Sequence, residues 1–377
     1  MFRAKFVFMH LRIFLSSVFL SAACLFSACD NSSGPTDTFD RGAMLQHFAD
    51  HLIKPAYSDL SARTSELLAA AETFQADPTL ANLESLRTAW KAAYYRWQNA
   101  NSFNFGPAGE QGLQKSLVEE VGTFPVSTAK IEAAVASGVW NVTDSNRDAR
   151  GFLAVEYLIF GTAPTDDGTV AAFVTNSQRV ALLRALCENL KSRIDAVLSA
   201  WNGAYYTEFI NNKGTDVGSS TSLFYNEFVR SFEAAKNFKL GLPMGKRPGQ
   251  TQTEPQLVEA YYSGESRKCL DLHLNTLEFI WKGYGLDGQP DGKGFKQYLE
   301  TLEGGPALIK NTEIQLNILF SALAAVPADA TLSSQISANN PKLETLYTEL
   351  QKLTRYYKSD LSSLMGIAIT FSSGDGD

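Results

Sequence analysis

"LETLYTELQKLTRYYKSDLSSL", residues 343–364, is the stretch that decides the fold class. Leu343, Leu346, Leu350, Leu353, Tyr357, Leu361 and Leu364 recur in steps of three and four, which gathers them on one face of a helix. A half-buried strand would need steps of two. The same stepping governs Leu83, Leu86, Trp90, Tyr94 and Trp97, and again Val180, Leu183, Cys187, Leu190, Ile194, Val197 and Trp201. No alternating run competes with it. The expected fold is all-α, with two packed helical-bundle domains over residues 41–210 and 223–377. The glycine-rich "NNKGTDVGSSTS" (211–222) divides them, and 377 residues are enough chain for two. "LGLPMGKRPGQTQTEP" (240–255) and "YGLDGQPDGKG" (284–294) read as long loops of the kind that often carry function. The aspartates of the second miss EF-hand spacing.

The N-terminus has the pattern of an export signal. Arg3, Lys5 and Arg12 precede the apolar "IFLSSVFLSAACLFSAC", and residues 1–28 hold no acidic side chain. The ending "FSAC" has the form of a lipobox, which makes Cys29 the expected lipidation site. Ser21 weakens the competing Cys24. Residues 29–40 read as a flexible tether, so the expected location is the cell envelope, lipid-anchored at the outer membrane. Removing the signal takes the formal charge from −7 to −10, since three basic residues and no acidic ones are lost. An acidic globule without a basic tract does not suit nucleic acid. Cys187 and Cys269 are the cysteines left beyond Cys29; as two, they make no disulfide framework, and bonded or free thiols both remain open.

One charge interrupts the apolar "GFLAVEYLIFG" (151–161). On a helix Phe152, Glu156, Ile159 and Phe160 share a side, so Glu156 sits inside the stripe. A buried carboxylate needs a partner, a proton or a ligand. Arg87, Lys91, Arg96 and Arg150 are the cations expected to reach it. Histidine is scarce: His47 and His51, four apart in "HFADH", are weak metal candidates without a zincin glutamate, and His273 lies on a stripe with Leu270, Leu274, Leu277 and Trp281. No nucleophile elbow, P-loop or dinucleotide fingerprint is present.

Five stretches together resemble the imelysin-like proteins of bacterial envelopes: "AWKAAYYRWQNANSFNFGP" (89–107), "RGFLAVEYLIFG" (150–161), "PQLVEAYYSGES" (255–266), "FIWKGY" (279–284) and "GIAITFSSGDGD" (366–377). The resemblance implies a two-domain helical protein linked to iron acquisition, with iron or haem as conceivable cargo and an iron-uptake receptor as a conceivable partner. Some members carry an insulin-cleaving peptidase label. The family signature, glycine, then histidine two positions on, then glutamate three after that, falls on Gly151, Leu153 and Glu156. Leucine cannot ligate a metal or activate water, which argues against a peptidase. The ligand-binding candidates are Glu156, Arg150, Glu259, Tyr261, Ser263 and Ser266, with Ser263 also read as a helix cap. The expected role is a non-catalytic envelope lipoprotein that binds a ligand or partner; a metallopeptidase and a structural adaptor are the alternatives.

Overall fold

The computed structural model describes residues 39–371, except 111, 113–114, 143–145 and 291. The signal, Cys29 and most of the expected tether lie outside the described residues, as does the end of the tail. Every regular element among the described residues is helical. In chain order the helices are α1 (Arg41–Phe48), α2 (Lys54–Ala76), α3 (Leu80–Ala100), α4 (Leu117–Val121), α5 (Thr128–Ser137), α6 (Gly151–Glu156), α7 (Asp166–Val174), α8 (Ser177–Trp201) and α9 (Ala204–Asn211). After the 211–222 break follow α10 (Ser220–Ala234), α11 (Ser266–Lys282), α12 (Phe295–Glu300), α13 (Gly305–Ala325), α14 (Leu332–Ser337), α15 (Pro341–Arg355) and α16 (Ser362–Leu364).

The leucine stripe behaves as its spacing requires. Asn340 caps α15 by accepting from Lys342 N at 3.1 Å, and Pro341 occupies the first turn, where no amide is needed. Leu343, Leu346, Leu350 and Leu353 are buried, and α15 packs on α13. Each buried leucine stabilises by about 2 kcal/mol. The Trp90–Trp97 stripe of α3 is likewise buried, and α2 packs on both α3 and α8. At the start of α1, Asp40 accepts from Ala43 N at 3.0 Å and Phe39 stacks on Tyr298, so the last two residues of the expected tether belong to the packed body. Cys187 and Cys269 are both buried free thiols, and burial pushes the Cys187 thiol up to about 12. No helix among the described residues is long and apolar enough to cross a membrane.

Four helices pass into π turns: Ala49–Ile53, Tyr157–Gly161, Ala235–Gly241 and Tyr356–Leu361. A π turn takes one extra residue per coil, which re-aims the following side chains, and such turns are found frequently at functional sites. The stretch 151–161 therefore differs from the uniform helix its sequence suggests. It is α-helical to Glu156 and π from Tyr157. It is apolar on every side because it is enclosed on nearly every side, with Gly151 to Ile159 all buried. Gly151 has φ +79°, and a Cβ there would collide with the Val121 carbonyl, so α6 can begin only at a glycine. At the far end a Cβ on Gly161 would meet the Tyr262 ring. The glycines let α6 sit directly against the loop that carries the site.

Candidate functional site

The site is built on α3, the end of α10, and the loop leading into α11. Glu259 is its centre. This carboxylate is 2% exposed, a depth at which an unpaired charge would cost several kcal/mol. Tyr94 donates its hydroxyl to Oε1 at 2.6 Å, and Gln98 donates its amide to the same oxygen at 3.2 Å. The ammonium of Lys239 lies 3.0 Å from Oε2 and also donates to the Gln98 side-chain carbonyl. Tyr94 and Gln98 are four apart on α3 and thus share a face, while Lys239 is delivered by the π turn Ala235–Gly241. Ala260, immediately after Glu259, is held at φ +52°, a strained conformation for a residue with a Cβ. Ser266, in the first turn of α11, donates its hydroxyl to the Glu259 backbone carbonyl.

Glu156 approaches the same loop from α6. Its Oε1 accepts from Ser263 N at 2.8 Å and from the Ser263 hydroxyl at 2.6 Å. The cations expected to neutralise it are engaged elsewhere. Arg87 donates to Ile159 O at 2.8 Å and pairs with Asp166. Lys91 pairs with Glu265, Arg96 with Asp59, and Arg150 donates to Val142 O at 2.8 Å. Ser263 does not cap a helix either: α11 begins at Ser266 with Glu265 in the capping position, and the Ser263 hydroxyl is turned to Glu156. Glu259 likewise precedes α11 in the loop rather than starting a helix. Burial is the main reason the Glu156 carboxyl is pushed up to about 7; the Ser263 bonds oppose that rise and the nearby Glu259 charge adds to it. Glu156 is thus a buried carboxyl held by the Ser263 donors, with its pKa raised toward neutrality.

A cavity of about 290 Å³ opens beside Glu259 and Lys239. Trp97, Phe124 and Phe238 give it an apolar side, and Glu227, Arg230, Ser231 and His273 a polar one. Glu227 is buried against Arg230 at 2.5 Å; burial pushes its carboxyl up to about 7 despite the guanidinium. His273 lies on the core stripe as its spacing implies, its Nε2 2.7 Å from the Ser231 hydroxyl. A hydroxyl beside an imidazole is the start of a nucleophile–base pair. Here the other ring nitrogen has no hydrogen-bond partner among the described residues, and burial, reinforced by Lys239, holds the ring neutral with its pKa well below the usual value. The arrangement suits hydrogen bonding to a guest better than proton abstraction.

Of the residues singled out in the sequence, Glu156, Glu259, Ser263 and Ser266 converge on this loop. Tyr261 is 42% exposed, packed edge-on against Tyr262, and Arg150 stands at the start of α6 on the Val142 carbonyl. Tyr94, Gln98, Ser231 and Lys239 escaped sequence reading. Tyr94 looked like core and is core, with its hydroxyl as the exception. Lys239 carried a signal comparable to that of Glu156, a lone charge in the otherwise neutral "NFKLGLP" (237–243).

The electrostatics of Glu156 give a signed expectation. Below its unfolded value near 4.5 the carboxyl is protonated in both states; between there and about 7 the folded state holds the proton more tightly. Stability attributable to Glu156 therefore falls as pH rises through this window, by about 3 kcal/mol in all, and levels off above it. Glu156→Gln keeps an oxygen for Ser263 and removes the titration. From pH 5 to pH 8 the variant should gain about 2.5 kcal/mol relative to the parent in urea unfolding, while the separate slope from Glu227 persists. A constant offset between the two profiles would contradict this reading.

Comparison with known proteins places the chain in a family. The family described as Imelysin, of peptidase class M75, matches residues 53–357. Iron-regulated protein A of Synechococcus elongatus is 27% identical over 316 residues, covering 81% of this chain and 80% of its own. A crystal structure from Parabacteroides distasonis, provisionally described as an iron-regulated protein A precursor, superposes with a TM-score of 0.72 at 16% identity, covering 89% of this chain and 97% of that one. An imelysin-like protein from Psychrobacter arcticum superposes with a TM-score of 0.68 at 18% identity, covering 88% and 97%. These two show the shared fold; with the match over residues 53–357, the chain belongs to the imelysin family.

Proposed function

We propose that this protein is a non-catalytic, lipid-anchored envelope protein that serves iron acquisition by binding a ligand or partner at the Glu259 cavity. The iron link comes from the relative named iron-regulated protein A. The observation that carries the binding role is the buried Glu259–Lys239 pair set in the wall of a cavity with one apolar and one polar side. Such a cavity suits a guest with an apolar body and a hydrogen-bonding head, which leaves haem-like and iron-chelate cargo both open.

The class name of the family implies a metallopeptidase, whose metal would need a set of donors. The residues present do not fit one. Leu153, in the signature histidine position, is 3% exposed in the core and offers no lone pair. Glu156 is occupied by Ser263, and the Glu259 charge is already matched by Lys239. Among the described residues no group of three or more His, Cys, Asp and Glu is placed to hold a metal. His47 and His51 stack with ring centroids 4.9 Å apart, and two imidazoles fall short of a zinc ligand set.

Two outcomes test this reading. Highly purified protein is expected to leave an unstructured casein substrate intact with or without added zinc; chelator-sensitive cleavage that follows the protein through successive columns would contradict it. Changing Cys29 to Ser is expected to move the protein from the membrane fraction to the soluble fraction, and full retention at the membrane would refute the lipid anchor.

A further inference from the structure

A second cavity lies across the π turn Ala235–Gly241 from the Glu259 site, and its chemistry is different. It measures about 410 Å³ and sits between that π turn, the loop at 246–248, and the end of α15 with its own π turn Tyr356–Leu361. Lys236, Lys246, Arg247, Arg355 and Lys358 line it against a single carboxylate, Glu233. With Glu344, which pairs with Lys246, counted beside Glu233, that is an excess of three positive charges, in a chain whose net charge is −7. Like charges are gathered this closely only at a cost in mutual repulsion, which an anion in their midst relieves.

Three details separate this cavity from an ordinary solvated surface. Lys236 is 7% exposed, so its ammonium is held in the wall. The one carboxylate, Glu233, lies 3.4 Å from Lys358. Lys246 pairs outward with Glu344, and the Arg247 guanidinium rests over the Phe238 ring at 5.1 Å, which fixes the loop's cations in place. Arg355 has no carboxylate within ion-pair distance among the described residues. Among the described residues that line the cavity, Pro248 alone lacks a polar side-chain atom; Asn237, Gln351, Thr354 and Ser359 supply amides and hydroxyls. The Tyr347 ring and Pro248 are the apolar surfaces among these residues, too little for an acyl chain or a porphyrin. Guanidinium forks and ammonium groups together match the oxygens of a phosphoryl group, which carries more charge per volume than a carboxylate.

We infer that the cavity between the π turns Ala235–Gly241 and Tyr356–Leu361 binds a small, soluble phosphoryl anion. The two cavities have no lining residue in common: Lys236 and Asn237 line the anion cavity, while Lys239, on the same turn, lines the Glu259 cavity. The two readings can fail separately.

The test is isothermal titration of the purified full-length protein with inorganic phosphate and with pyrophosphate, at constant ionic strength in 0.15 M NaCl, where long-range screening is already strong. Pyrophosphate is expected to bind more tightly than phosphate. Arg355→Glu, an exposed change with no protein ion pair to break, should weaken pyrophosphate at least tenfold without lowering the unliganded melting temperature, since it relieves repulsion among the remaining cations. Lys236→Met should weaken it similarly, with folding checked by circular dichroism. Glu156→Gln should leave it unchanged. No heat with either anion, an affinity indifferent to Arg355→Glu, or equal responses to sulfate, phosphate and pyrophosphate would overturn the proposal. Tighter binding of monomeric dihexanoyl phosphatidic acid than of pyrophosphate would assign the site to a lipid headgroup and overturn it equally.

Discussion

The buried pair between Glu259 and Lys239 is the constraint around which the site is arranged. Neither charge can sit in the interior alone, and their separation of 3.0 Å satisfies both only if further donors and acceptors close around them. Tyr94 and Gln98 do this from α3, Ser266 fixes the backbone of Glu259 from α11, and the π turn after α10 supplies the lysine. Four segments from both sides of the 211–222 break thus have one relative placement that leaves no charge exposed to an apolar wall. The strain at Ala260 follows, since its backbone turns sharply to present the carboxylate just before it.

The π turns are the means by which regular helices meet that constraint. A continuous α-helix through residues 230–241 would carry Lys239 about 100° per residue around its axis with no allowance for the loop opposite. The extra residue of the π turn re-aims it, and places Lys236 on the other wall. At the neighbouring contact, Gly151 and Gly161 bring α6 and its π turn close enough for Glu156 to hold Ser263. The loop 258–265 is consequently held by one carboxylate through its charge and by another through two donors.

The helices were legible because their stripes are long: seven residues at steps of three and four leave no second interpretation for 343–364. Glu156 was legible as a misfit for the same reason. Its partners were not. The rule that a buried carboxylate seeks a cation favoured Arg87, Lys91, Arg96 or Arg150, but each is taken by a nearer acceptor, and the backbone amide that does the work has no side chain to announce it. Lys239 was missed because it depends on a π turn, and no periodicity template anticipates an extra residue in the coil. Tyr94 was hidden by being a correct core residue as well as a donor.

The most direct test of this account is a double-mutant cycle on the central pair, with Glu259→Gln, Lys239→Met and their combination compared in urea unfolding at pH 7. If the pair organises the site, each single change strands a buried charge and should cost about 3–5 kcal/mol, whereas the double change should cost little more than the milder single one. Additive losses in the double variant would contradict the account, since they would mean that Glu259 and Lys239 are stabilised independently and that the convergence on Glu259 is incidental.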